Sequence, residues 1–403
     1  MTFLINLYRN AYGGLSTPAW MLALVMFINR SGSMVVPFLS VYLTDSLHFT
    51  VEQAGLILTS FGMGAMSGSI LGGWLSDRLS PFVVQVLSLS LGGCLFLVMA
   101  HVSTYYWLLG GFFLLSVVSE CLRPANAASV ALYARPENVT RSFSLNRMAL
   151  NLGFSIGPAL GGILASISYY WLFVADGFTC MAAGIFFFFY FGKLPRQKKV
   201  SVDNESALPK QSVHQDTVFL VFLLFVTCYA LTFFQFFFTL PLYYREVYKL
   251  SEIQIGLLLG FNGLLVFLFE MIIVHQLENK PFLWRQIVLG TLLCGVSFVL
   301  LTLFSSPFIL IISMVLLTFS EIFAMPFMVT YTVNRAGTHN RGRYLGFYSL
   351  AYATAFILAP YLGTKAISHL GYTFLWWATG ILSALTALGF YLVLARKKQF
   401  ANA

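Results

Sequence analysis

The apolar positions of this chain come in long continuous blocks, not in the short alternating segments of an outer-membrane barrel. A membrane-spanning helix needs about 20 mostly apolar residues. Twelve such blocks can be placed, at 18–43, 53–75, 83–102, 106–132, 142–166 and 171–192, then 217–240, 252–277, 285–304, 307–333, 344–366 and 373–395. One long polar stretch interrupts them, Lys193 to Asp216, with Lys198, Lys199, Asp203, Glu205, Pro209 and Lys210. The expected fold is an all-α membrane protein of twelve transmembrane helices. It is expected to divide into two pseudo-symmetric six-helix bundles, 1–192 and 217–403, joined by a cytoplasmic linker over 193–216.

Composition narrows the class further. Of 403 residues, 59% are hydrophobic, 17% aromatic and 9% charged, with mean hydropathy +0.82. That leaves too few polar side chains to cover a water-facing surface, which excludes a soluble globular protein and a disordered one. The first block, from Trp20 onward, is too long for a cleavable signal peptide, and no small-residue cleavage site follows it. The five cysteines, Cys94, Cys121, Cys180, Cys228 and Cys294, all lie in apolar runs and show no metal spacing. They read as small core residues.

The charge is +9, and its placement says more than its size. Lys and Arg accumulate in cytoplasmic loops. With both termini inside, seventeen of the 23 Lys and Arg fall on the cytoplasmic side and three (Arg245, Lys249, Lys365) on the outer side. Arg30, Arg123 and Arg147 fall within the blocks. The expected topology is therefore N-in/C-in.

The two halves repeat. At an offset of 201, Tyr42 matches Tyr243, Gln53 Gln254, Gly55 Gly256, Gly62 Gly263, Ser119 Ser320 and Glu120 Glu321, with Asp77 opposite Glu278. At an offset of 202, Asn138 matches Asn340, Arg141 Arg343, Pro158 Pro360 and Gly161 Gly363. Two similar halves are what a transporter needs to rock about a central site.

Two glycine-rich motifs stand out. Gly68-Ser69-Ile70-Leu71-Gly72-Gly73-Trp74-Leu75-Ser76-Asp77-Arg78 closes the second block, and its small residues at 64, 68 and 72 allow close helix approach. Gly153-Phe154-Ser155-Ile156-Gly157-Pro158-Ala159-Leu160-Gly161-Gly162 lies in the fifth. Four glycines and a proline disfavour a soluble helix, but in lipid they give close packing and a bend.

The first motif resembles the G-x-L-[SA]-D-R signature of the major facilitator superfamily, and the second matches the G-x-x-x-G-P-x-x-G-G motif of that superfamily's drug and metabolite antiporters. The resemblance spans the chain and implies the superfamily's twelve-helix fold. It also implies gating and structural roles for Asp77, Arg78, Gly153, Gly157, Pro158 and Gly161. The family pattern continues after Arg78 with glycine and two basic residues. This chain has Leu79-Ser80-Pro81 there, so the latch is expected to use other partners, such as Arg141 or Glu137. The loop Arg135-Pro136-Glu137-Asn138-Val139-Thr140-Arg141 also looks like the acidic-then-arginine loop of many members. Asn29-Arg30 and Leu150-Asn151-Leu152-Gly153 are faintly similar to proton-coupled oligopeptide transporters. Their E-x-x-E-R-F-x-Y-Y signature is broken here, with Asn29 where a glutamate would stand.

Ionisable residues inside a membrane are costly and mark function. Arg30, Glu120, Arg123, Arg147, Glu270 and Glu321 are the candidates. Asp176, near the outer end of the sixth block, is expected to be wet. Glu120 and Arg123 are three apart and can pair. With Arg30 at similar depth, they would form a cluster of formal charge +1, suited to a carboxylate or to a proton on Glu120. Glu321 has no arginine within a turn and is expected to carry a proton or to anchor a cationic group. Glu270 and His275 are expected near an inner gate. Arg147 and Asn151 share a face directed at the cavity or the fourth helix. Asn29, Tyr42, Gln235, Tyr243, Tyr244, Asn262, Tyr331 and Tyr352 are further polar or aromatic candidates for lining the substrate path. An aromatic wall suits amphipathic substrates.

The expected function is a proton-coupled secondary active transporter of small amphipathic molecules, working as a drug or metabolite exporter in the plasma membrane. The alternative is an uptake symporter for peptide-like or anionic solutes. The sequence has no G-x-x-x-x-G-K-[ST] loop, no H-E-x-x-H motif and no intramembrane aspartate pair, so neither an ATP-driven pump nor an enzyme is expected. The expected partners are a small-molecule substrate, protons and the lipid bilayer. Neither nucleic acid, metal nor cofactor is expected, and the chain is expected to act as a monomer.

Overall fold

A computed structural model describes residues 14–135, 139–194, 213–277, 282–304, 306–336 and 341–395. The linker over 193–216 lies almost wholly outside the described residues, as does Glu137. The side chains of Arg141 and His275 also fall outside them.

Among the described residues the secondary structure is helical throughout. The helices are α1 (Thr17–Ser31), α2 (Val35–Val41), α3 (Val51–Arg78), α4 (Pro81–Met99), α5 (Tyr105–Glu120), α6 (Leu122–Tyr133), α7 (Val139–Ile167) and α8 (Tyr170–Phe191). There follow α9 (Thr217–Phe233), α10 (Gln235–Phe238), α11 (Leu240–Glu246), α12 (Glu252–Leu277), α13 (Leu283–Leu303), α14 (Phe308–Ala336) and α15 (Arg341–Ala395). Eleven of the described helical stretches are long and apolar enough to cross a membrane. The last of them, α15, is two helices joined at Gly371, whose φ of 81° and ψ of 173° leave the helical region. Large apolar side chains such as Trp107, Ile167 and Phe308 are exposed on the helices, as a lipid solvent requires.

Three blocks expected to be continuous are broken. The first splits between α1 and α2 at Gly32–Met34, and a π-turn (Tyr42–Ser46) follows α2. The fourth breaks at Cys121, and the seventh at Phe234 and again at Thr239. No proline sits in the first break, which falls at the polar run Asn29-Arg30-Ser31-Gly32-Ser33 inside the apolar block. By contrast Pro158, Pro326 and Pro360 lie inside unbroken helices. Neighbouring helices and hydroxyl side chains re-satisfy the backbone groups that proline frees.

The described chain forms two compact units. The first holds Met1–Phe38, Ser60–Val202 and Glu252–Gly260, and the second Leu39–Thr59, Asp203–Ser251 and Phe261–Ala403. Each unit thus takes a segment from the other sequence half, 252–260 in one and 39–59 in the other. The offset of 201 carries residues 51–59 onto 252–260, so this part of the exchange follows the internal repeat, whereas 39–50 and their mates 240–251 both lie in the second unit.

Close packing follows the glycines. In the first unit Gly64, Gly68 and Gly72 of α3 lie against the backbone of Phe113, Val117 and Cys121, where no Cβ would fit. Gly256 of α12 meets the Pro158 carbonyl and Gly162 of α7 in the same way. In the second unit its repeat mate Gly55 meets Thr364, one residue past Gly363.

Of the cysteines, Cys121, Cys180 and Cys294 are buried, but Cys94 is exposed and Cys228 half-exposed. That corrects the reading of all five as core residues. A thiol on a lipid-facing position costs nothing, because the solvent there is as apolar as the core.

Candidate functional site

In the first unit, α1 starts from Ser16, whose hydroxyl oxygen accepts from the Ala19 N–H at 3.3 Å and whose own proton goes to the Tyr133 carbonyl at 2.8 Å. Arg30 falls in its last turn. A Cβ built on Gly153 would lie 2.8 Å from the Arg30 Cβ, and one on Gly157 would lie 3.0 Å from the Arg30 carbonyl. Gly161 continues the ladder against Met34 at 3.0 Å. The fifth-block glycines therefore press α7 onto the segment that carries Arg30.

The break at Cys121 places Glu120 at the end of α5 and Arg123 in the first turn of α6. Glu120 Oε2 lies 3.1 Å from Arg123 Nε, and Oε1 lies 4.0 Å from Arg30 Nη2. Arg30 and Glu120 are 19% and 15% exposed, whereas Arg123 is 66% exposed. The three expected side chains thus meet, with one carboxylate between two guanidinium groups. The cluster has an accessible side, formed by Arg123. Asn29, beside Arg30, donates from Nδ2 to Cys180 Sγ at 3.3 Å.

Asp176 belongs to this neighbourhood and is not wet. It is 2% exposed and accepts from the Met34 and Val35 N–H groups at 2.9 and 3.1 Å. Sequence position put it near a helix end. The break in the first span brings the start of α2 against it. An acid in the middle of the apolar run Leu172-Phe173-Val174-Ala175-Asp176-Gly177-Phe178 was the available signal. Arg147 is exposed and Asn151 half-buried on α7, and both make polar or electrostatic contacts.

In the second unit, Glu321 is half-buried on α14. Tyr229 and Tyr352 lie within its electrostatic reach, and the Tyr229 hydroxyl pairs with the neighbouring Ser320 hydroxyl at 3.2 Å. Aromatic rings continue from there. Tyr352 packs on Tyr348 with centroids 5.1 Å apart and on Phe234 at 6.1 Å, and Phe234 meets Phe356 edge-on at 5.1 Å. Phe234 is the residue at which the seventh span breaks.

Several other candidates turn out to fix helices. Gln235 donates to the Leu231 and Ala359 carbonyls at 3.2 and 3.1 Å and accepts from the Thr239 hydroxyl at 2.9 Å, which binds the seventh-span break to α15. Gly363 packs against Gln235 and Thr239, as its mate Gly161 packs beside the first-span break. Asn262 donates to Thr318 at 2.9 Å. Tyr243 gives its proton to the Leu301 carbonyl at 2.9 Å and is 6% exposed, and Tyr244 and Tyr42 are also buried. Tyr331 stacks obliquely on Phe222, with centroids 4.5 Å apart. Glu270 is 8% exposed on α12. Asp77 and Arg78 are exposed, and the Arg78 guanidinium lies 4.4 Å from the Trp74 ring centre.

Three ionic contacts went unread in the sequence. Asp216 caps α9 through the Phe219 N–H at 3.1 Å and receives Arg335 Nε and Nη2, each at 2.7 Å, and the Tyr344 hydroxyl at 3.0 Å. Arg245 bonds Asp45, and Glu52 meets the Ser368 hydroxyl at 2.9 Å and His369 Nε2 at 3.1 Å. Each pairs residues far apart in sequence, so spacing rules do not reach them. Among the described residues no three His, Cys, Asp or Glu side chains gather to hold a metal ion.

Comparison with known proteins gives a consistent result. The chain is 27% identical over 361 residues to the uncharacterized MFS-type transporter YttB of Bacillus subtilis (strain 168), covering 87% of this chain and 88% of that protein. It is 25% identical over 366 residues to a Na(+), Li(+), K(+)/H(+) antiporter of Planococcus maritimus, covering 83% and 85%. Over a shorter stretch of 144 residues, 34% of this chain and 35% of its relative, it is 26% identical to the quinolone resistance protein NorA of Staphylococcus aureus (strain Mu50 / ATCC 700699). In fold it resembles the crystal structure of a POT family transporter in complex with 5-aminolevulinic acid, with TM-score 0.81, 17% identity, and coverage of 96% of this chain and 97% of that one. The Major Facilitator Superfamily profile matches residues 19–355 and 284–402. The chain is a multi-pass membrane protein and belongs to the Major Facilitator Superfamily of secondary transporters.

Proposed function

We propose that this transporter is a proton-coupled exporter of small amphipathic molecules, working by alternating access with both termini in the cytoplasm. The observation that carries the reading is Glu321, a half-buried carboxylate within electrostatic reach of Tyr229 and Tyr352, the latter packed in the aromatic run with Tyr348, Phe234 and Phe356. Aromatic faces attract cations and accept apolar bodies without a fixed hydrogen-bond pattern. A carboxylate among them trades a proton for a cationic group at little structural cost. The name of one relative, a cation/proton antiporter, supports antiport, and that of another, a quinolone resistance protein, supports a drug-like substrate.

In the first unit, Glu120 is proposed as the partner coupling residue. Its repeat mate is Glu321, and it lies between Arg30 and Arg123. Arg147, Asn151 and Glu270 are assigned supporting roles along the path. Asn29, Gln235 and Asn262 shape it by fixing the helices that border it.

The test is transport in proteoliposomes under an imposed pH gradient, with lipophilic monocations and hydrophobic carboxylates offered side by side. Proton-driven movement of the cations, abolished by Glu321→Gln, is expected. Proton-driven transport with unchanged pH dependence in Glu321→Gln would contradict the assignment.

One observation favours a second reading. The Arg30–Glu120–Arg123 cluster has a formal charge of +1 and presents an exposed guanidinium, which suits uptake of carboxylates with protons. Carboxylate uptake that survives Arg30→Ala removes that reading.

A further inference from the structure

The first-span break is clasped by a carboxylate outside the proposed coupling pair. Asp176, on α8, spends both of its oxygens on backbone donors. Met34 N–H reaches Oδ1 at 2.9 Å and Val35 N–H reaches Oδ2 at 3.1 Å. Both N–H groups belong to the chain entering α2; Met34 N–H is shared with the Gly32 carbonyl at 2.8 Å, whereas Val35 N–H is directed at Asp176. Thr179, one turn along α8, fills the space that a Cβ on Gly32 would need. A Cβ built on Gly157 would lie 3.0 to 3.3 Å from the carbonyl oxygens of Arg30, Ser31 and Ser33. The joint is tightly enclosed, and among the described residues the ionisable side chain bonded to it is Asp176.

What lies on either side of the joint gives it significance. Upstream, within the same unit, are Asn29 and Arg30, and Arg30 is held to Glu120. Downstream, the chain passes into the second compact unit after Phe38. The segment that crosses carries Asp45, bound by Arg245, and Glu52, bound by Ser368 and His369.

The chemistry of release is simple. Each of the two N–H donors meets one oxygen of the carboxylate. A carboxylic acid offers one acceptor, and its O–H then faces an N–H. One proton arriving on one Asp176 oxygen thus removes one of the two bonds, and its departure restores the bond. No other reactant is consumed. The charged and titratable groups around Asp176 are few. Its own helix offers Cys180 and α1 offers Arg30, α7 carries Arg147 and α4 carries Cys94, while α2 carries no charged or titratable side chain. No basic side chain pairs with Asp176 among the described residues.

We propose that Asp176 is a proton-operated clasp on the first span, a third coupling carboxylate whose protonation loosens residues 34–46. The proposal rests on the proton-coupled reading above, and its test needs neither substrate nor transport. Hydrogen–deuterium exchange of the full-length protein in lipid nanodiscs is followed over residues 32–47, corrected for the intrinsic pH dependence of exchange. In the unmodified protein, protection of this stretch is expected to fall about tenfold between about pH 8 and about pH 5. Asp176→Asn, which offers one acceptor and cannot titrate, is expected to show low protection at every pH. Asp176→Glu is expected to keep a pH-dependent profile. A flat profile in the unmodified protein overturns the clasp even if the variants do not fold. So does a pH dependence that persists unchanged in Asp176→Asn, which would leave Asp176 a purely structural cap. Neither result bears on whether the protein moves protons with a substrate.

Discussion

Arg245 closes on Asp45 with two hydrogen bonds to the same carboxylate oxygen, 3.0 Å from Nε and 2.7 Å from Nη2. The residues are 200 positions apart, one from each sequence half, yet both belong to the second compact unit. Their side chains are 31% and 44% exposed, so water screens the pair and its contribution is about 0.2–1 kcal/mol. A fastening of that strength can hold a state without locking it.

If this contact opens during the transport cycle, a covalent version should stop transport. The double variant Asp45→Cys with Arg245→Cys is expected to be inactive after oxidation and to recover on reduction. Full activity of the oxidised double variant would show that the contact stays closed throughout.

Gly153 leaves no room for a larger residue, with the Arg30 Cβ 2.8 Å from where its own Cβ would stand. Gly153→Ala should force α7 and α1 apart, at a cost of about 1–3 kcal/mol. Gly110 has nothing within 4 Å of the same construction and serves as the control. A lowered melting temperature for Gly153→Ala but not for Gly110→Ala, with transport lost alongside, is the expected pattern. Equal melting of the two variants would mean that α7 relaxes freely.

Asp216 gives a stability effect with a defined pH direction. Burial opposes its charge, but the hydrogen bonds from Arg335, the Phe219 N–H and the Tyr344 hydroxyl outweigh it and hold the carboxyl below its ordinary value. A carboxyl depressed on folding stabilises the folded state above its unfolded pKa of about 3.9, and that contribution is lost as pH falls through the lower folded value. Asp216→Asn should therefore melt below the unmodified protein at neutral pH, and the gap should narrow only under strong acid. Asp216→Ala, which also loses the α9 cap, should cost about 0.5–2 kcal/mol more. A gap that closes already near neutral pH would point to a different group.

The positions of the spans were legible because each block of about 20 apolar residues has one stable fate in lipid. The charge cluster was legible in part. Glu120 and Arg123 are neighbours in sequence, and Arg30 stands out as an arginine inside an apolar run. The breaks were not legible. Polar runs at Asn29–Ser33 and around Cys121 mark interruptions within apolar blocks without showing that the helix stops there, and what satisfies the first break is Asp176, from a helix more than a hundred residues away. For the same reason Asp176 looked like a solvated end residue and Gln235 like a cavity residue. Local sequence shows that a polar side chain is present, but its partner is fixed only by packing. Asp77 and Arg78 had a motif behind them, while Asp216 and Arg335, with the tighter geometry, had none.

Proton-coupled export is tested by counting protons against substrate in proteoliposomes that hold a pH-sensitive dye. When a lipophilic monocation is driven across the membrane, protons should move the opposite way in fixed proportion to it. Glu321→Gln should abolish both fluxes together. Protons moving in the same direction as the substrate, or substrate crossing with no proton movement, would contradict antiport.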